Sequence, residues 1–182
     1  MLAAGTGTSM WAAGEVLSDY LAEHPELCRG ARALELGAGI GVVGLTVAFF
    51  GGEVTLTDLE RQLPLLRRNA EANGLRTTVR ELDWSDERQR SVACGTWDLI
   101  LGSDVGYDPM LFEPLLQTLK AQSTEATSIY LALADREEED EPTVSDFVAC
   151  ASGFEVELVC EGRPEPHQSL TKVLRMPRAK TC

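Results

Sequence analysis

Short continuous apolar runs alternate along this chain with stretches whose apolar positions recur every three or four residues. The runs Arg32 to Leu36, Glu53 to Thr57, Thr77 to Leu82, Asp98 to Gly102 and Ser128 to Ala134 predict strands, because they are brief, rich in leucine, isoleucine and valine, and bounded by glycine or polar clusters. Between them, Val16, Leu17, Tyr20 and Leu21 recur at helical spacing in a helix that Pro25 is expected to end. Further helices are predicted over Val42 to Phe50, closed by Gly51-Gly52, about Arg61 to Asn73, stopped by a left-handed Gly74, Pro109 to Ala121, starting just after Asp108, and Val144 to Ser152. Phe154 to Cys160 and Leu170 to Met176 read as a final strand pair joined by the proline-rich stretch Arg163 to His167. Strands in strict alternation with helices imply a mostly parallel sheet with both faces covered. The closing hairpin puts one antiparallel strand near the edge. No linker or internal repeat divides the chain, so residues 1–182 are expected to form a single domain.

The segment Glu35-Leu36-Gly37-Ala38-Gly39-Ile40-Gly41-Val42-Val43-Gly44 carries the most chemistry. A strand there runs into a glycine-dense turn and straight out into a helix, an arrangement that lets backbone approach a nucleotide-like group at the helix start. The glycines alone permit a dinucleotide, since Gly39 to Gly44 fits G-x-G-x-x-G and Asp58 follows at ribose distance. Glu35, two residues before the first glycine, is the residue that discriminates.

The Glu-x-Gly-x-Gly-x-Gly arrangement resembles the first motif of class I, seven-strand S-adenosylmethionine methyltransferases, and four further segments extend the likeness. Val54 to Asp58 is similar to the family's second strand, Leu82-Asp83-Trp84 to the end of its third, and Met10-Trp11 to Leu17 to the tryptophan-led helix that opens the catalytic domain. Trp97 to Tyr107, with Asp104-Val105-Gly106-Tyr107, resembles the fourth strand and Asp-x-x-Tyr motif of methyltransferase family 16, the protein-lysine methyltransferases of the methyltransferase-like 21 group. The resemblance runs from about Gly7 to the last strand. It implies a Rossmann-like α/β fold of seven strands, mostly parallel with one antiparallel, and S-adenosyl-L-methionine as cofactor. It also implies cofactor contacts at Trp11, Glu35, Gly37, Ala38, Gly39, Asp58, Asp83, Trp84 and Ser103, with Asp104 and Tyr107 at the reacting end.

Each role has a physical ground and a plainer competitor. Gly37, Ala38 and Gly39 present backbone to the methionine part, and Glu35 either orients that turn, meets the ammonium group, or merely caps local N–H groups. Asp58 can accept two hydrogen bonds from a ribose diol, or cap the helix near Glu60-Arg61. Trp84 offers a face to adenine and Asp83 an acceptor for its amino group, although a tryptophan there is also ordinary core. Trp11 closes the pocket in the family and can equally be packing, and Ser103 sits where the family makes a backbone contact. Asp104 attracts and orients an ammonium while Tyr107 walls the lysine channel, against the reading in which one caps a loop and the other packs on the sheet. Two departures stand out. Members usually carry an extension before the tryptophan helix, which would leave part of the lid or groove missing here or supplied by a partner; and Gly106 replaces a bulkier residue, which is expected to widen the acceptor channel.

Composition narrows the partners. The net charge of −13 leaves few cations to neutralise phosphates, so nucleic acid is not expected. An acidic surface favours a basic, lysine-bearing protein segment instead, or serves solubility alone. The run Glu137 to Glu141 reads as a solvated loop. No apolar run approaches the roughly 20 residues that span a bilayer, no basic-then-apolar leader is visible, and no membrane partner is expected. Cys28, Cys94, Cys150, Cys160 and Cys182 lack C-x-x-C spacing, which predicts no metal site and reduced thiols in a cytoplasmic or nuclear protein. The leading expectation is therefore an S-adenosylmethionine-dependent protein-lysine N-methyltransferase. Methylation of a small amine or another side chain, and a non-catalytic adenosylmethionine-binding module, remain as alternatives. A nicotinamide dehydrogenase is disfavoured by the lack of Tyr-x-x-x-Lys and of a second domain.

Overall fold

The computed structural model describes residues 12–92, 96–135, 141–163 and 169–179. Helices α1 (Ala12–Glu23), α2 (Val42–Phe49), α3 (Leu63–Asn73), α4 (Glu87–Val92), α5 (Phe112–Gln122) and α6 (Val144–Cys150) surround seven strands: β1 (Arg32–Leu36), β2 (Glu53–Asp58), β3 (Thr77–Glu81), β4 (Leu99–Ser103), β5 (Ser128–Asp135), β6 (Glu157–Gly162) and β7 (Leu170–Arg175). All seven strands form one sheet in the order β3-β2-β1-β4-β5-β7-β6, in which only β7 runs against its neighbours. The expected Rossmann-like α/β sheet, parallel but for one strand, is the observed one.

Strand periodicity builds two cores from one sheet. Successive side chains leave opposite faces, so Ala33, Leu99, Leu101, Tyr130 and Ala132 meet α1, α2 and α3, while Leu34, Leu36, Ile100, Ile129 and Leu131 meet α5 and α6. On the second face Phe147 of α6 meets Phe112 of α5 edge-on, with ring centroids 5.3 Å apart. Such a pair adds about 0.5–1.5 kcal/mol to the burial itself. Arg178 locks the far end, donating to the carbonyls of Lys120 and Ser123 at the close of α5.

Several predicted boundaries shift. The end of α1 is not among them: it closes at Glu23, just ahead of Pro25 as expected, and Pro25 opens a short 3-10 turn. Glu60–Gln62 and Pro109–Leu111 are 3-10 turns, so α3 begins at Leu63 and α5 at Phe112. Strand β6 begins at Glu157; Phe154 makes only an isolated bridge with Arg178. Helix α4 has no counterpart among the predicted elements. Its sequence Glu-Arg-Gln-Arg-Ser-Val lacks an apolar period, and the Asp86 carboxylate starts it by accepting from the Arg88 and Gln89 amides. The acidic run lies mostly outside the described residues, of which it contributes Glu141 alone.

Candidate active site

The carboxyl ends of β1, β2, β3 and β4 meet at one edge of the sheet, and every candidate residue within the described chain comes there. After β1 the backbone turns through Gly37, Gly39 and Gly41 at φ +63, +55 and +88°, conformations that an L side chain rarely adopts. At Gly41 crowding adds to the requirement, since a Cβ would lie 2.8 Å from Leu66 Cδ1. The turn is held from β2: the Ala38 amide donates to the Thr57 carbonyl at 2.8 Å, and the Gly39 amide to Asp58 Oδ2 at 2.7 Å. Asn69 of α3 fixes its outer side through a 2.9 Å bond to the Ile40 carbonyl. The loop is therefore preorganised by its neighbours.

Glu35 lies underneath, 1% exposed. Its Oε2 accepts from the Gly44 amide at 2.9 Å, capping a helix whose N-cap residue, Gly41, has no side chain to do so. Its Oε1 is buried without a partner among the described residues. Burial pushes this carboxyl up to about 8, with Asp58 adding in the same direction and the Gly44 amide opposing both. The bond to Gly44 is the local N–H capping, the plainer of the readings of Glu35.

Asp58 does not start a helix. Its two oxygens accept from Gly39 and Leu59, 2.7 Å each, which ties β2 to the glycine turn and leaves the second lone pairs of both oxygens. Burial raises its pKa, against the Gly39 and Leu59 amides and the Arg61 charge. Beyond β3, Asp83 Oδ1 accepts from the Ser85 amide at 2.8 Å, and Gln89 of α4 anchors the Asp83 backbone. Trp84 leans back over the turn: a Cβ at Gly37 would lie 3.2 Å from its Cζ2 and 3.1 Å from Val105 Cγ1. Ser103 is approached from α1, where a Cβ at Gly14 would stand 3.5 Å from its Oγ and 3.1 Å from Val42 Cγ1. Trp11 lies outside the described residues.

Asp104 follows with φ +53°, the sole non-glycine residue at positive φ among those described. Its amide donates to the Ala132 carbonyl at 2.9 Å, extending the β4–β5 ladder one step past Ser103 and fixing the strained residue in place. Tyr107 is 41% exposed, and the carboxylates of Asp108, Asp58 and Asp104 and the opposing charge of Arg61 act on its hydroxyl. Burial and those carboxylates raise its pKa, so it stays protonated at neutral pH. Gly106 backs onto β5, where a Cβ would meet Leu133 Cδ2 at 3.2 Å, so the glycine lets the loop lie close to the sheet.

A family model described as lysine methyltransferase matches residues 1–148. This chain belongs to the lysine methyltransferase family. Among its relatives are the protein N-lysine methyltransferase METTL21A of Mus musculus, 40% identical over 75% of the chain and 64% of the relative, and the EEF1A lysine methyltransferase 3 of Mus musculus, 38% identical over 74% and 58%. The chain thus matches less than two thirds of the length of these relatives. The fold is that of a TehB-like SAM-dependent methyltransferase from Corynebacterium glutamicum, with a TM-score of 0.68 at 19% identity over 94% of this chain and 89% of the other. It is also that of the magnesium protoporphyrin IX methyltransferase of Synechocystis solved with bound SAH, with a TM-score of 0.65 at 14% identity over 91% and 82%.

Within this family frame, three supports of the site had escaped the sequence. Thr57 donates its hydroxyl to the Glu35 carbonyl at 2.6 Å, Asn69 holds the turn, and Gly44 leaves room for the Glu35 carboxylate. Of these only Gly44 left a trace, as the last glycine of the G-x-G-x-x-G spacing.

Proposed function

We propose that this chain transfers a methyl group from S-adenosylmethionine to a lysine side chain of a protein. The cofactor fits the residues present. The positive-φ turn at Gly37 to Gly41 is closed to side chains, as a backbone cradle requires, and Asp58 keeps lone pairs for a ribose diol. Gly37, Ala38 and Gly39 would border the methionine part, with Glu35 beneath, while Asp83, Trp84 and Ser103, and Trp11 from the amino-terminal side, would complete the contacts. When bound, the cofactor supplies a methyl carbon activated on a sulfonium.

The acceptor end falls to Asp104 and Tyr107. An ammonium has no lone pair, so the lysine must give up a proton to solvent, which reaches the half-open Tyr107 side, before it can attack. Asp104 draws the ammonium in and orients it. Tyr107, protonated, flanks the alkyl stem with its ring and offers its hydroxyl to the nitrogen. The observation that carries this reading is the sheet order β2-β1-β4, in which Asp58 ends β2 and is tied to the glycine turn after β1, while Asp104, held at φ +53°, directly follows β4 on the other side of that turn. The acidic character of the chain, at −13, suits a substrate whose lysine lies in a basic segment.

Tritiated adenosylmethionine with a cell extract tests the reading. Label on a protein band, carried by methyl-lysine after hydrolysis, is the expected result. Label on small amines alone, or on nothing while adenosylhomocysteine still binds, would replace it with one of the alternatives.

A further inference from the structure

Met110 is 83% exposed, the most open large apolar residue among those described, and it stands three positions beyond Tyr107. Its exposure is built in. Asp108 caps the turn that carries it, Oδ1 accepting from the Met110 amide and the Asp108 carbonyl from the Leu111 amide, both at 2.9 Å. Pro109 restricts the backbone on one side of Met110, and Phe112, 4% exposed and packed on Phe147, anchors the other. A flexible apolar side chain is thereby held into solvent at the mouth of the acceptor loop.

The charge around it points to one kind of occupant. From Leu99 to Leu119 the chain carries Asp104, Asp108 and Glu113 and no lysine or arginine, and the charges that act on Tyr107 are the three carboxylates Asp58, Asp104 and Asp108 against the cation Arg61. An apolar side chain on a predominantly acidic segment complements a strand that is basic and bears an apolar side chain. Three residues of chain span at most about 11 Å, so Tyr107 and Met110 lie within reach of side chains no more than about three positions apart on an extended peptide.

We infer that Met110 is a specificity-determining residue, which with Tyr107 seats an apolar side chain within three positions of the acceptor lysine in an extended basic segment of the substrate protein. The inference rests on the proposed lysine transfer, and its test separates the two. Synthetic peptides with one central lysine in a Gly/Ser/Arg background would carry leucine at each position from three before to three after it, with an all-serine control. Methylation by the full chain is followed by mass spectrometry, and binding of fluorescein-labelled copies by anisotropy with adenosylhomocysteine present.

At least one leucine position should raise kcat/KM tenfold or more over the control, mostly through KM. Met110→Ser should erase that preference with kcat little changed, and Met110→Leu should restore it, all three proteins binding adenosylhomocysteine alike. Equal methylation of leucine and control peptides, or a preference that survives Met110→Ser, overturns the Met110 assignment alone. Selective binding that depends on Met110 without transfer, in a chain that also labels no methyl-lysine in the extract, supports the docking surface and sinks the lysine-transfer reading. Peptides neither bound nor methylated, by a chain that does label methyl-lysine in the extract, overturn the Met110 inference alone.

Discussion

Glu35 and Gly44 are bound so closely that neither position tolerates a larger neighbour: the amide-to-carboxylate distance is 2.9 Å, and a Cβ on Gly44 would fall 2.6 Å from Glu35 Oε2. The same Cβ would lie 2.3 Å from Leu56 Cδ2 and 3.1 Å from Val54 Cγ1. Helix α2 rests on β1 and β2 at that point with hydrogen as its only side chain.

Gly44→Ala should therefore destabilise the protein by about 1–3 kcal/mol through overpacking, although alanine favours helix by about 1 kcal/mol over glycine. Urea unfolding measures it. An unchanged midpoint would mean that α2 can shift off the sheet at little cost.

The Glu35 carboxyl sets a pH dependence. Its native value of about 8 lies above the ordinary 4.5, so between those values the native state holds the proton more tightly than the unfolded chain. The stability tied to this group is fully present below about pH 4.5 and is lost as pH rises through about 8. The loss is at most about 1.4 kcal/mol per pH unit. Glu35→Gln removes the titration. Melting curves of the two proteins from pH 5 to pH 8.5 should diverge, with the wild type declining more steeply; parallel curves would show that Glu35 is ionised throughout.

At Asp58 two duties can be separated. Asp58→Asn keeps one accepting oxygen for the loop but discards the charge and sets an NH2 group against the other amide, and charge-assisted bonds are worth about 1.5–3 kcal/mol each, so adenosylhomocysteine affinity should fall roughly 10- to 100-fold with a smaller loss in melting than Asp58→Ala causes. Asp58→Ala should lower both, because the Gly39 and Leu59 amides lose their acceptor. Calorimetry on both variants decides it. Wild-type affinity in the asparagine variant would confine Asp58 to clamping the glycine turn.

Asp104 offers a contrast between backbone and chemistry. Glycine adopts φ +53° freely, whereas other residues pay about 1–2 kcal/mol there, less for aspartate. Asp104→Gly should thus stay within about 1 kcal/mol of wild type once unfolded-state entropy is set against relieved strain. Its methyl transfer should nevertheless collapse. Transfer retained in this variant would show that the carboxylate does not serve the acceptor.

Strands β4 and β5 were readable in the sequence because their buried stretches, Leu99 to Leu101 and Ile129 to Leu133, are unbroken apolar runs, whereas β1 and β2 showed as short leucine- and valine-bearing segments set off by glycine and polar clusters. Helix α4 was not, since its stability comes from the Asp86 cap and from packing on α5 rather than from any period in its own residues. At the site, the glycine spacing and the acids Glu35, Asp58 and Asp104 announced themselves by type and order. What they bind locally did not. A backbone amide as the partner of Glu35 is invisible in residue letters, and so is the inward lean of Trp84 over Gly37. Asn69 and Thr57 resemble any polar residues of a helix and a strand until the fold brings them under one turn.

The placement of β7 between β5 and β6 has a kinetic consequence. During synthesis β6 emerges first yet cannot join the sheet, for the strand that bridges it to β5 is still to come. Until Leu170–Arg175 leaves the ribosome, β5 presents an open edge of unpaired amides and carbonyls, Leu131 and Leu133 among its residues. A nascent chain stalled in that interval is the species most exposed to chaperones and to mispairing with its own copies. Closure then comes from β7 sliding into the slot between β5 and β6, with the β1 to β4 half already in place.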